Sequence, residues 1–176
     1  MTPALLLPLV ALLALQTSPV TVERLATPDK ALRFEVTVPA RLDDVWSAFT
    51  TQAGLQTWLW KDVRVDLRAG GDWLVQYTPT ATGGGTIVSF VPREEIVMRA
   101  LAPEQFPAVR AARTTAAFRF TAAGPAATRV TLLQTGWQAG AEWDAAYDYL
   151  AKGNAQLLTQ LRQRFVSGPV DWSKFK

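Results

Sequence analysis

A single change of hydrophobic period constrains this chain more than any other feature. Between Leu32 and Thr135 apolar residues recur at every second position in short runs, whereas from Trp143 to Phe165 they recur at steps of three, four and seven. A period of two marks a strand with one buried face, and a period near 3.6 marks an amphipathic helix. Many half-buried strands and only one long helix can bury their apolar faces together in few ways. The strands must share one sheet, and the helix must lie across its apolar side.

The runs can be placed one by one. Leu32, Phe34, Val36 and Val38 share a face opposite Arg33, Glu35 and Thr37, and Pro39 ends that strand. Leu42 to Thr50 reads as a short helix with Leu42, Val45, Trp46 and Phe49 on one side, and Thr51 to Trp60 as a second short helix. Six further strands are expected at Val63–Leu67, Trp73–Tyr77, Thr86–Val91, Glu95–Leu101, Thr114–Thr121 and Thr128–Thr135. Gly70-Gly71, Gly83-Gly84-Gly85, Pro92–Glu94 and Gly124-Pro125 are read as the turns, and Ala102 to Ala112 as a longer connection. Consecutive strands joined by short turns give an antiparallel meander.

The closing helix is predicted over Glu142 to Phe165, with Trp143, Tyr147, Leu150, Leu157, Leu161 and Phe165 as its apolar stripe. Glu142 and Asp144 at its start and Arg162 and Arg164 at its end suit the helix dipole, and Gly168-Pro169 stops it. The expected fold class is α+β: a seven-stranded, curved antiparallel sheet wrapped around a long C-terminal helix, with two short helices after the first strand.

Composition narrows the chemistry. Among the 176 residues there is no cysteine and no histidine, so disulfides, thiolate nucleophiles and His-based triads are excluded. The net charge is +3, but no two of the 18 Lys and Arg residues are adjacent. A surface that tracks phosphates needs clustered bases, so nucleic acid is not an expected partner. Asp62, Asp66, Asp72 and Glu142 form no spacing that calls for a metal and are read as surface or capping residues.

Residues 1–22 carry no charged side chain, and Ala4 to Leu15 is an Ala/Leu/Val run broken only by Pro8. That length suits the apolar segment of a secretory signal and is short for a membrane span. The expected organisation is a signal peptide or N-terminal anchor over 1–22, a linker over 23–30, the folded domain over 31–168 and a tail over 169–176. The expected location is periplasmic or secreted, or membrane-anchored if the segment is retained, with no stable span in the mature form.

Several motifs carry a resemblance. They are Val45-Trp46, Leu55-Gln56-Thr57-Trp58, the hairpin Arg68-Ala69-Gly70-Gly71-Asp72-Trp73, and Gly85-Thr86-Ile87-Val88 leading to Pro92-Arg93-Glu94-Glu95-Ile96-Val97. Thr128-Arg129-Val130-Thr131 through Thr135-Gly136-Trp137 and on to Trp143 completes the set. In this order they resemble the START-like (SRPBCC, helix-grip, Bet v 1-like) superfamily, and within it the homologues of the activator of heat-shock protein 90 ATPase. Where that family commonly has Gly-Trp in the middle of the last helix, this chain has Gly153-Asn154. The resemblance implies an internal pocket between sheet and helix. Such folds host binding, transport and catalysis alike.

Candidate ligand-binding residues follow from the pattern. Trp58, Trp73, Trp137 and Trp143 stand near element ends, where a cavity mouth would lie, and as a group favour a flat or aromatic ligand, although each also suits a core. Asn154 interrupts the apolar stripe, either bonded to a facing strand or aimed at the ligand. Tyr147 lies two turns earlier on nearly the same face. Tyr77, Met98 and Phe118 are expected as strand-side walls, and Phe106, in the proline-flanked connection, as a gate. The expected function is binding of a small apolar or aromatic molecule without a cofactor. Alternatives on the same fold are a cofactor-free enzyme of aromatase/cyclase type and a co-chaperone-like interaction module.

Overall fold

The computed structural model describes residues 19–26 and 29–175. Of the signal or anchor segment expected over 1–22, residues 1–18, with the apolar run Ala4 to Leu15, lie outside the described residues. Among the described residues no helix is long and apolar enough to cross a membrane.

Eight strands form one curved, unclosed sheet, one more than the pattern predicted. They are β1 (Val20–Leu25), β2 (Ala31–Val38), β3 (Val63–Val65), β4 (Asp72–Thr78), β5 (Ala81–Val91), β6 (Glu95–Ala100), β7 (Thr114–Ala122) and β8 (Thr128–Thr135). Their order across the sheet is β1-β2-β8-β7-β6-β5-β4-β3, and every neighbouring pair is antiparallel. The additional strand is β1, at the sheet edge, where the end of the leader and the linker had been expected. Its register pairs Val22 with Phe34 and Glu23 with Arg33, and the latter two also form an ion pair of 3.2 Å. Only Val20 of this strand is buried, so its alternation leaves a weak hydrophobic signature.

Two further expectations change. Gly83-Gly84-Gly85 is not a turn. It lies inside β5, where the three glycines pair with Val75, Leu74 and Trp73 of β4. Gly84 has φ +101°, and a Cβ there would stand 2.0 Å from the Trp73 carbonyl oxygen, so the close strand contact requires glycine. The connection after β6 contains a short helix, α3 (Pro107–Ala112), with Pro107 at its first turn.

The short helices α1 (Leu42–Thr50) and α2 (Gln52–Gln56) close one end of the sheet. Phe49 is the hub, with rings of Trp58, Trp73, Phe118 and Phe120 at 4.7–5.9 Å between centroids. The indole N–H groups of Trp58 and Trp73 donate to the carbonyls of Ala48 and Phe49, each at 2.9 Å, so these buried rings leave no donor unpaired. The tail is tied to the same end: Trp172 donates to the Gln56 carbonyl and stacks edge-on against Trp60.

The long helix α4 (Ala141–Ser167) crosses the sheet, at about 1.5 Å per residue a span of roughly 40 Å. Its buried residues are Trp143, Ala146, Tyr147, Ala151, Leu158 and Leu161. Of the expected stripe, Trp143, Tyr147 and Leu161 are buried, whereas Leu150, Leu157 and Phe165 are only half-buried. α4 rests chiefly on β1, β2 and α3. Small Ala146 and Ala151 allow close approach there. Tyr147 donates to the Ala31 carbonyl at 2.9 Å, while Arg24–Asp148 and Lys30–Asp144 pairs, both 2.6 Å, hold the helix over β1 and the start of β2. Seating α4 towards that edge leaves space between its middle and strands β4 to β7.

Candidate functional site

That space is a cavity of about 510 Å³. Its floor is apolar: Trp73 from β4, Met98 from β6, Ala116 and Phe118 from β7 and Leu132 from β8, all buried. These residues reach one face because alternate positions of each strand point inward. Gly83 and Gly84 of β5 line the side. The roof is the middle of α4, namely Tyr149, Leu150, Gly153, Asn154, Gln156, Leu157 and Gln160. A methyl group placed on Gly153 would meet no heavy atom within 4 Å, so this glycine leaves open volume and does not serve close strand packing.

The rim is polar. Gln156 and Gln160, one turn apart on α4, and Gln105 in the connection after β6 are exposed. Tyr77 and Tyr149 are 45% and 48% exposed. Partial burial, and then the neighbouring Tyr149 phenol, push the Tyr77 phenol above its ordinary value, so it is neutral at physiological pH. The one carboxylate at the cavity, Glu104, is already engaged. It accepts from the Thr82 N–H at 2.8 Å and pairs with Arg110 at 3.1 Å, and the Thr82 contact is the main reason its carboxyl sits below its usual value. Arg110 also donates to the carbonyls of Thr82 and Ala102. Together they latch α3 and its preceding loop onto the start of β5.

Asn154 makes the bond to a facing strand that was one of its two readings. Its Nδ2 donates to Gln134 Oε1 of β8 at 2.7 Å, and Gln134 Nε2 donates to Thr114 Oγ1 of β7 at 2.8 Å. It also lines the cavity.

Of the residues singled out from the sequence, the cavity brings together Trp73, Tyr77, Met98, Phe118 and Asn154. The other five stand elsewhere. Trp58 is in the core beneath Phe49. Phe106 and Trp143 belong to a small second cluster with Ala102, Val109 and Ala146, although Phe106 reaches the rim through an edge contact to Tyr149 at 5.5 Å. Trp137 packs at 5.0 Å on Tyr147, whose ring is also covered by Arg24 and Lys30. Tyr147 and Asn154 therefore do not aim into one space, since the Tyr147 hydroxyl turns to Ala31 at the start of β2. The sequence reading passed over Leu132, Tyr149, Gln156 and Gln160. The pair Gln156/Gln160 beside Leu150/Leu157 was a usable signal, a second stripe alongside the buried one. Glycines within a strand were another.

Among the described residues no group of three His, Cys, Asp or Glu side chains is placed to hold a metal. One family model, Activator of Hsp90 ATPase homolog 1-like protein, matches residues 39–165. The chain belongs to this family. The expected START-like relationship is thereby borne out, and solved structures agree on the fold. The Aha1 dimer from Colwellia psychrerythraea is similar at TM-score 0.64 and 15% identity, over 78% of this chain and 97% of that one. CalU16 from Micromonospora echinospora is similar at TM-score 0.63 and 20% identity, over 89% and 88%. DynU16, from the dynemicin biosynthetic locus, is similar at TM-score 0.63 and 18% identity, over 81% of this chain and 49% of that one. No curated protein matches the chain in sequence. At these identities the likeness to the solved structures shows a shared fold.

Proposed function

We propose that this protein binds a small, neutral, largely apolar molecule, with an aromatic or similarly flat body, in the cavity between α4 and the sheet. The observation that carries the reading is an apolar floor under a roof and rim whose polar groups are neutral apart from the engaged Glu104, at a volume of about 510 Å³. Ligand pockets commonly enclose about 300–1,000 Å³ with mainly apolar walls and a few placed polar groups. An anionic ligand would find no free cation among the lining residues, and a cationic one would have to compete with Arg110 for Glu104. A flat apolar body matches the floor of Trp73, Phe118, Met98 and Leu132. Export, motivated by the apolar run Ala4 to Leu15, would place this binding outside the cytoplasm.

The test uses Trp73, which lies in the floor, as reporter. Titration with the neutral probe N-phenyl-1-naphthylamine should quench tryptophan fluorescence and saturate. Gly153→Leu puts a side chain into the open volume and should weaken that binding by tenfold or more, about 1.4 kcal/mol, without lowering the melting temperature. Undiminished binding to Gly153→Leu would place the probe somewhere else and defeat the proposal.

A further inference from the structure

We infer that the relay Thr114–Gln134–Asn154 makes Asn154 a fixed hydrogen-bond acceptor inside the cavity, so that the site selects ligands carrying a hydroxyl or N–H over isosteres carrying only a carbonyl or ether. This rests on the binding reading above and specifies the ligand class for it. A carboxamide can offer either a donor or an acceptor, and its surroundings decide which. Gln134 and Thr114 are buried between the sheet and α4, at 3% and 2% exposure. Gln134 Nε2 donates to Thr114 Oγ1, and Gln134 Oε1 faces α4. That oxygen receives Asn154 Nδ2 at 2.7 Å. The Gln134 backbone carbonyl accepts the Trp137 indole N–H at 3.1 Å, a further tie at this end of β8.

What remains of Asn154 is Oδ1. Among the described residues it makes no hydrogen bond, and yet it is not among the sealed, unpartnered side-chain atoms, which comprise only Arg164 Nε. It therefore keeps accessible surface, and the cavity is the open space that Asn154 lines. An acceptor standing above the apolar floor of Met98, Phe118 and Leu132 rewards a ligand that donates to it. A ligand presenting its own oxygen there would leave two acceptors facing each other, both removed from water. Gly153, without a side chain beside it, leaves room for the ligand group to reach that oxygen. The structural bond to β8 and the ligand-facing role belong to opposite ends of one amide.

The test compares three probes on the purified full chain by equilibrium dialysis: naphthalene, 2-naphthol as a donor, and 2-methoxynaphthalene as an acceptor of similar shape. Wild type should bind 2-naphthol about tenfold more tightly than 2-methoxynaphthalene, the equivalent of one buried hydrogen bond satisfied against one lost. Asn154→Leu should abolish that preference while naphthalene still binds. Thr114→Val frees the Gln134 amide to turn and should collapse the preference towards one, and Thr114→Ser, which keeps the hydroxyl, should restore it. A simple loss of packing would move all three probes together and would not be rescued by serine. If naphthalene binds but the two substituted probes bind equally, or the methoxy probe is preferred, the acceptor assignment is overturned and the cavity reading stands. If naphthalene does not bind at all, the cavity reading falls as well.

Discussion

Leu157 and Leu158 are neighbours on α4 with different surroundings. Leu158 is fully buried in the main core, and Leu157 is half-buried at the cavity roof. Leu158→Ala should cost about 2–5 kcal/mol, because it empties a well-packed site. Leu157→Ala should cost about 1 kcal/mol, since only part of its surface leaves water on folding. Urea unfolding measures both, and equal losses would mean that the helix is rotated from the position described. At Gly153 the sign reverses. Alanine meets open space and improves helix propensity, so Gly153→Ala should raise stability by about 1 kcal/mol in the same assay. At this scale the sequence was legible where one residue type has one use. Trp73, Met98 and Phe118 were readable as walls because strand alternation fixes which face they take. Trp58, Trp137 and Trp143 were not separable from them, because a large ring near an element end fits a core as well as a cavity. The steps of three and four from Trp143 ran equally well through Leu150 or Ala151, and only packing against β1 and β2 decides between the two stripes.

Among the elements, β5 and the segment carrying α3 shape the cavity most. Gly84 of β5 permits a backbone approach that a side chain would forbid, so Gly84→Ala should destabilise by about 1–3 kcal/mol through its positive φ and the clash with the Trp73 carbonyl. The α3 segment is held through Glu104 and Arg110 to Thr82, and through Glu142, which accepts from the N–H groups of Ala108 and Val109 at the start of α3. Because the Thr82 N–H, aided by Glu104's own N–H and Arg110, lowers the Glu104 carboxyl in the folded state, its contribution is complete above the ordinary carboxylate pKa. It is lost as pH falls through the lower folded value. The protection factors of the Thr82 amide and of α3, that is, exchange relative to the intrinsic rate at each pH, should therefore fall in acid, and Glu104→Gln should flatten that dependence. An unchanged pH profile in the variant would mean that the latch is not carried by this carboxylate. Neither element was fully visible in sequence. Three consecutive glycines are a turn signal more often than a strand signal, and a six-residue helix that opens on a proline has too little periodicity to stand out.

The whole molecule follows from the change of period. Strands that alternate and one helix that does not give a sheet with a single cover, and that much was legible from Leu32 to Phe165. The eighth strand was hidden because an exposed edge strand has little apolar alternation to detect. The proposed export of the full chain is checked by fractionating cells that express it with a C-terminal tag, and full-length protein confined to the cytoplasm would remove it. The central claim, that the space under α4 receives an apolar molecule, can be read at one atom. The chain has two methionines, Met1 and Met98, and Met98 lies buried in the cavity floor. With methionine methyls labelled with carbon-13, titration with naphthalene should shift the Met98 resonance and give nuclear Overhauser contacts from it to the ring protons, with Met1 unchanged. A Met98 signal that stays in place at saturating naphthalene, without contacts to the ligand, would contradict the account.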